Sequence, residues 1–158
     1  MIVVFGSINV DLVVPVDSLP QTGETVLAPS YLTVAGGKGA NQAVAGARAG
    51  ATTHMVGCVG RDGFADLALA TMADADIDLT AIATVAEPTG CAMIGVDHAG
   101  ANQIIVASGA NRLVKSSQLD GRMLGPETTL VLQLEVDLSE TWTVVERATA
   151  NGARVVLN

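Results

Sequence analysis

Three short runs in this chain combine residue types that could grip a small polar molecule. The first is Ala35-Gly36-Gly37-Lys38-Gly39-Ala40-Asn41-Gln42-Ala43. Its glycines let a backbone approach a ligand closely, because they carry no Cβ and tolerate positive φ. The alanine-rich run that follows predicts a helix. Its first N–H groups are expected to stay unpaired and point back at the loop, adding partial positive charge beside Lys38. Asn41 adds a donor and an acceptor in the first turn.

The second run is Gly6-Ser7-Ile8-Asn9-Val10-Asp11. Asn9 and Asp11 alternate with apolar neighbours, so in an extended chain they face the same way. An amide beside a carboxylate suits hydroxyl groups, offering donors and acceptors together. The third run, Gln133-Leu134-Glu135, follows an apolar stretch and puts a carboxylate at the end of a strand. Ends of this kind are where open α/β sheets bind ligands. Taken singly, each run also reads as ordinary structure: a strand-to-helix turn, an Asx turn and a polar strand end.

The glycine-rich run matches neither common nucleotide motif. Gly39 stands where a Walker A loop has Ser or Thr after the lysine. Counted from Gly37 the pattern is G-x-G-x-x-Gln, which is not a dinucleotide fingerprint. His54 and His98 lack ligand spacing to other metal-binding residues, so no metal site is expected. Thr89, Gly90 and Asn102 could line a pocket, or simply form a turn and an edge strand.

The elements that would position these residues follow from pattern. Ile2 to Phe5 is a continuous apolar run, as in a strand buried on both faces. Val10 to Val16 is extended. Pro15, Pro20, Gly23 and Pro29 then punctuate short extended pieces at 24–27 and 31–34. Ala40, Ala43, Val44 and Ala47 share one face of a helix over 38–49, with Gly50 near its C-cap. A strand over 52–59, a turn at 60–63 and a helix over 64–75 continue a β…αβα rhythm, which predicts a parallel sheet with crossover helices. Asp74, Asp76 and Asp78 read as a solvated helix end. Residues 91–96 and 102–107 predict a β-hairpin. A short helix near 116–123, a strand over 130–134, a helix over 138–151 and a strand over 154–157 complete the chain.

Composition narrows the function classes. Hydrophobic residues make up 49% of the 158 and aromatic residues only 3%, so the core must be aliphatic. Sixteen acidic against eight basic side chains give a formal net charge of −8. That balance, with no basic patch, argues against nucleic acid or an anionic membrane surface as a partner. Cys58 and Cys91 have no CxxC spacing and fit reduced thiols. The N-terminus lacks a positive region before its apolar run, so it reads as a strand and not as a signal peptide. The cytoplasm is the expected location.

In order, these runs together with Pro20-Gln21-Thr22-Gly23-Glu24-Thr25 and Thr89-Gly90 closely resemble the N-terminal half of the ribokinase/PfkB family of carbohydrate kinases. The resemblance spans the chain. The Gly36–Ala43 octet is nearer the ribokinase branch than the fructokinase or phosphofructokinase branches. The resemblance implies a three-layer α/β/α domain, its central sheet mostly parallel, with a small β-sheet lid. Residues 1–158 would form one incomplete domain, with lid segments at about 12–35 and 88–108. A sugar would be bound by Asn9, Asp11, Gly37, Lys38, Asn41 and Glu135. The implied activity is ATP-dependent phosphorylation of D-ribose to D-ribose 5-phosphate, with Mg²⁺ and a monovalent cation, in a homodimer paired through the lid. Alternatives are another sugar or nucleoside as substrate, or a non-catalytic sugar-binding or dimerisation module.

The sequence departs from the family in one respect. The N-x-x-E motif associated with Mg²⁺ and phosphate, and the G-A-G-D motif carrying the catalytic base, are absent. The expected base therefore lies beyond Asn158. The chain stops at the end of a strand that would normally feed a helix, which suggests an interruption within a larger domain. The 158 residues alone are expected to lack kinase activity.

Overall fold

A computed structural model describes all 158 residues, Met1–Asn158. Five strands form the larger sheet: β1 (Ile2–Phe5), β4 (Thr53–Val59), β5 (Asp78–Thr84), β8 (Thr129–Leu132) and β9 (Arg154–Leu157), in the order β5-β4-β1-β8-β9. Every pairing is parallel. β1 is central, and Val3, Val4 and Phe5 are all fully buried, as a continuous apolar strand requires.

Alternation along β1 divides the core between the two faces of this sheet. On one face Val4 and Met55 meet α1 (Lys38–Arg48) through Ala40 and Ala43, and α2 (Gly63–Asp74) through Ala65, Ala68 and Met72. On the other, Val3, Phe5, Leu130 and Leu132 meet α3 (Leu138–Ala150) through Val144 and Ala148. Three layers result, as the alternation of strands and helices predicts. Asp62 caps α2 by accepting from Phe64 N and Ala65 N, each at 3.1 Å. Asp137 caps α3 in the same way, through Ser139 N at 2.9 Å and Glu140 N at 3.2 Å.

The smaller sheet has the order β3-β2-β6-β7, from β2 (Asn9–Pro15), β3 (Leu32–Gly36), β6 (Gly90–Val96) and β7 (Asn102–Ala107). β2 and β6 run parallel, and the other two pairings are antiparallel. The hairpin β6–β7 forms where the sequence predicts it. Register places Asp11 beside Ala92 and Val106, and Val13 beside Ile94 and Ile104. One face of this sheet therefore sets Asn9 and Asp11, at the start of β2, beside apolar side chains of the hairpin. The chain passes from β1 to β2 through Gly6-Ser7-Ile8, which joins the two sheets at the carboxyl end of β1.

Three local expectations need correction. Asp78 does not end a helix: it opens β5, a strand whose small residues Ala81 and Ala83 gave only a weak pattern. Its carboxylate accepts from Thr80 N at 2.8 Å and lies 2.9 Å from His54 Nδ1. Residues 24–27 form no strand. The helix expected near 116–123 is two short 3-10 turns. Gln118 Oε1 accepts from Lys115 N at 2.6 Å and Asp120 Oδ1 from Arg122 N at 2.9 Å, and such local side-chain bonds compete with a continuous helix. A further 3-10 turn at Gly109–Leu113 had no clear pattern and is also new.

Candidate functional site

Asn9, Asp11, Gly37, Lys38, Asn41 and Glu135 all line one cavity of about 240 Å³. They come from three separate places: β2, the start of α1, and the segment after β8. The cavity lies beyond the carboxyl ends of β1 and β8, where an open parallel sheet leaves a crevice.

Its floor is a saturated hydrogen-bond network around Ser7. The Ser7 hydroxyl donates to Glu135 Oε2 at 2.6 Å and accepts from Gly39 N at 3.3 Å. Ser7 C=O accepts from Ala40 N at 3.0 Å, and Glu135 Oε2 accepts from Lys38 N at 3.4 Å. Three of the free N–H groups at the start of α1 are therefore satisfied inside the protein. This corrects the expectation that they point unpaired at a ligand. α1 has no side-chain N-cap; Ser7 and Glu135 take that part from a distance. Lys38 Nζ pairs with Glu135 Oε1, so the cation of the loop is also engaged.

Gly37 and Gly39 are required by the backbone around them, a Cβ on Gly39 lying 2.7 Å from both Ser7 N and Ser7 O. Gly37 has φ +94°, and a Cβ there would lie 2.8 Å from Asn9 N and Ser7 O. A Cβ on Gly36 would run into the Asp11 carboxylate. Behind the floor, the buried Gln133 amide sits against Gly6, with Nε2 donating to Gln42 Oε1 at 2.6 Å.

Three polar groups remain available to a ligand. The Asp11 carboxylate and the Asn41 amide have no hydrogen-bond partner within the protein, and the Asn9 amide has one only at Oδ1, which accepts from Asn111 Nδ2 at 2.7 Å. The two carboxylates are pushed in opposite directions. Burial, and then the nearby charge of Glu135, raise the Asp11 pKa. Burial alone would also raise Glu135, but Lys38 and Ser7 together outweigh it and hold that carboxyl below its ordinary value.

The sequence missed the opposite wall. Ala92, Ile94, Ile104 and Val106 line the same cavity from the hairpin. Their alternation on two paired strands marks a common face, but only the register shows that this face turns toward Asn9 and Asp11. Thr89, by contrast, does not reach the cavity. Its N and Oγ1 both donate to Asp62, at 2.8 Å each. A wider cleft of about 510 Å³ adjoins the cavity and shares Asn9, Val106 and Glu135 with it. Arg112 and Asp137 also line that cleft.

No three His, Cys, Asp or Glu side chains cluster in a way that could hold a metal ion. No helix is long and apolar enough to cross a membrane. Cys58 and Cys91 are free thiols, and burial raises the pKa of each.

Comparison with known proteins gives this geometry a family. The model of the pfkB family carbohydrate kinases matches residues 1–157. The ribokinase of Haemophilus influenzae is 40% identical over 161 residues, covering 98% of this chain and 52% of that protein. The deoxyribokinase of Salmonella typhi is 36% identical over 160 residues, covering 99% of this chain and 52% of that protein. Among solved structures, ribokinase of Arabidopsis thaliana complexed with ribose and ATP superposes with a TM-score of 0.84 at 33% identity, over 99% of this chain and 52% of that one. The chain thus spans about half the length of the relatives it matches. With a family match over nearly its whole length, this chain belongs to the pfkB family of carbohydrate kinases.

Proposed function

We propose that these residues form the sugar-gripping part of an ATP-dependent kinase that converts D-ribose to D-ribose 5-phosphate. The observation that carries this reading is the convergence of Asn9, Asp11 and Asn41, each with hydrogen-bonding capacity left over, on one small cavity with an apolar opposite wall. A cavity of about 240 Å³ is below the usual range for drug-sized ligands, roughly 300–1,000 Å³, and suits a monosaccharide. Asp11 accepts from sugar hydroxyls, Asn9 donates, and Asn41 can do either. Gly37 lets the backbone come close to the ring. Ala92, Ile94, Ile104 and Val106 cover the less polar side of the sugar.

Lys38 has a second role in this reading. Held by Glu135, its ammonium lies beside the hydroxyl that receives phosphate and offsets negative charge gathering there. Glu135 is a poor base, because Lys38 and Ser7 stabilise its ionised form. No catalytic base is assigned among the six residues. ATP, Mg²⁺ and a monovalent cation belong to the proposal through the family, though no three His, Cys, Asp or Glu side chains of this chain come together as a metal site.

The reading extends to a lid and a dimer. The smaller sheet would act as a lid over the sugar. The exposed apolar side chains Met93 and Ile105, paired across β6 and β7 on the face opposite Ile94 and Ile104, support pairing with a second copy through it. A cytoplasmic location fits a kinase of a free sugar. The deoxyribokinase relative favours one second reading, with 2-deoxy-D-ribose as the substrate.

Calorimetric titration of the folded 158-residue chain with D-ribose and 2-deoxy-D-ribose tests both readings. Saturable binding with ribose preferred is expected, and a preference for the deoxy sugar would replace the first reading with the second. A coupled assay with ATP is expected to show no turnover by this chain alone. Formation of ribose 5-phosphate by this chain would overturn the absence of a base.

A further inference from the structure

Asn111 belongs to none of the motifs that mark the cavity, yet its amide controls one of them. It sits in the 3-10 turn after β7 and is 1% exposed. One residue of the bend between β1 and β2 fixes its orientation from both sides. Ile8 N donates to Asn111 Oδ1 at 2.9 Å, and Asn111 Nδ2 donates to Ile8 C=O at 3.2 Å. Exchanging O and N would set donor against donor and acceptor against acceptor. The orientation is therefore dictated by main chain, which has no alternative to offer.

The second N–H of Asn111 Nδ2 donates to Asn9 Oδ1 at 2.7 Å. That contact takes the acceptor end of Asn9 and leaves its Nδ2 without a protein partner. No buried side-chain polar atom lacks a partner, so the 4% of Asn9 that stays exposed includes Nδ2. Asn9 lines both the cavity and the adjoining cleft. The two amides can meet only because Gly90 lies between them: a Cβ there would strike Asn9 Oδ1 and Asn111 Nδ2.

We propose that Asn111 is a positioning residue that locks the Asn9 side chain with its NH₂ group toward the cavity, making Asn9 an obligate donor to a ligand oxygen. The consequence for sugars rests on the sugar-binding reading above; the lock itself is a property of the ligand-free chain. Beside it, Asp11 is an acceptor on the same face of β2. The pair then selects a neutral hydroxyl group, which can accept from Asn9 while donating to Asp11. A group that can only donate finds no partner at Asn9.

Hydrogen exchange of the side-chain amides in the ¹⁵N-labelled, ligand-free chain tests the lock. The Asn111 NH₂ is expected to exchange at least about tenfold more slowly than the Asn9 NH₂, since each of its N–H groups is bonded. Asn111→Asp keeps the shape but replaces the donor with an acceptor. Asn9 should then turn its NH₂ toward the introduced carboxylate and exchange at least about tenfold more slowly than before, and ribose affinity should fall at least about tenfold. Loss of packing alone would not protect Asn9. An Asn9 NH₂ already protected in the unsubstituted chain, or unchanged in a folded N111D protein, overturns the proposal. Should N111D not fold, the unsubstituted chain decides by itself. The expected exchange pattern without ribose binding would sink the sugar reading and leave the lock standing.

Discussion

The two sheets of this molecule are built by different rules. In the larger one, β1 is covered on both faces, and Phe5 is 0% exposed. In the smaller one, β7 carries exposed apolar side chains, with Ile104 at 52% and Ile105 at 67%. The larger sheet holds the fold together through two aliphatic clusters. The smaller sheet turns one face to the cavity, where the proposed function gives it the work of recognition. The site lies on the seam between them, at Gly6-Ser7-Ile8 and at Gly37, so it depends on the first sheet for position and on the second for enclosure.

Substitutions should separate the two contributions. Phe5→Ala should cost roughly 3–5 kcal/mol in urea unfolding, by emptying a position in the centre of the buried strand. A loss below about 1 kcal/mol would mean that β1 is not the centre of stability. Gly37→Ala, on the seam, should cost at least about 1–2 kcal/mol through backbone strain alone and should also weaken ribose binding, because its Cβ would press on the β2 backbone at Asn9. Intact stability and binding in that variant would show the tight approach to be dispensable.

pH sharpens the comparison within the seam. The Glu135 pKa is lowered on folding, so it stabilises the fold above its unfolded pKa of about 4.3, and this is lost as pH falls through the folded value. The Asp11 pKa is raised by burial. Its contribution is fully present below its unfolded pKa, about 3.9, and is lost as pH rises through the folded value. Asp11→Asn should therefore raise Tm at pH 7 slightly, by no more than about 2 °C, while weakening ribose binding by about tenfold or more. Thermal melts from about pH 3 to 7, a range spanning both unfolded values, would check both signs; a lowered Tm at pH 7 would contradict the burial argument. Smallest of all, Ile105→Ala should change the stability of the single chain by no more than about 0.5 kcal/mol. A larger loss at low protein concentration would mean that β7 is packed in a way its exposure denies.

Elements buried on a regular period were legible in the sequence. Continuous apolar runs and alanine spacing marked β1, β4, α1 and α2, because burial on a known period leaves a pattern. The six site residues were marked by residue type, and as one sugar site only by the resemblance to the carbohydrate kinases. What stayed hidden depended on contacts between distant segments. The capping of α1 by Ser7 and Glu135 joins residues far apart in the chain, and nothing local announces it. Asn111 looks like an ordinary turn residue until Ile8 and Asn9 are placed against it. β5 was missed because it follows an acidic run and its small residues Ala81 and Ala83 carry little periodicity.

In the proposed function Asn9, Asp11, Lys38, Asn41 and Glu135 act as one sugar-gripping unit. Its most direct test is calorimetric titration of D-ribose into the folded chain and into its Glu135→Gln variant. Saturable binding is expected, weakened by about tenfold or more in the variant, as Lys38 and the Ser7 hydroxyl lose their charged partner. A well-folded chain that binds no ribose, or a variant that binds it equally well, would contradict it.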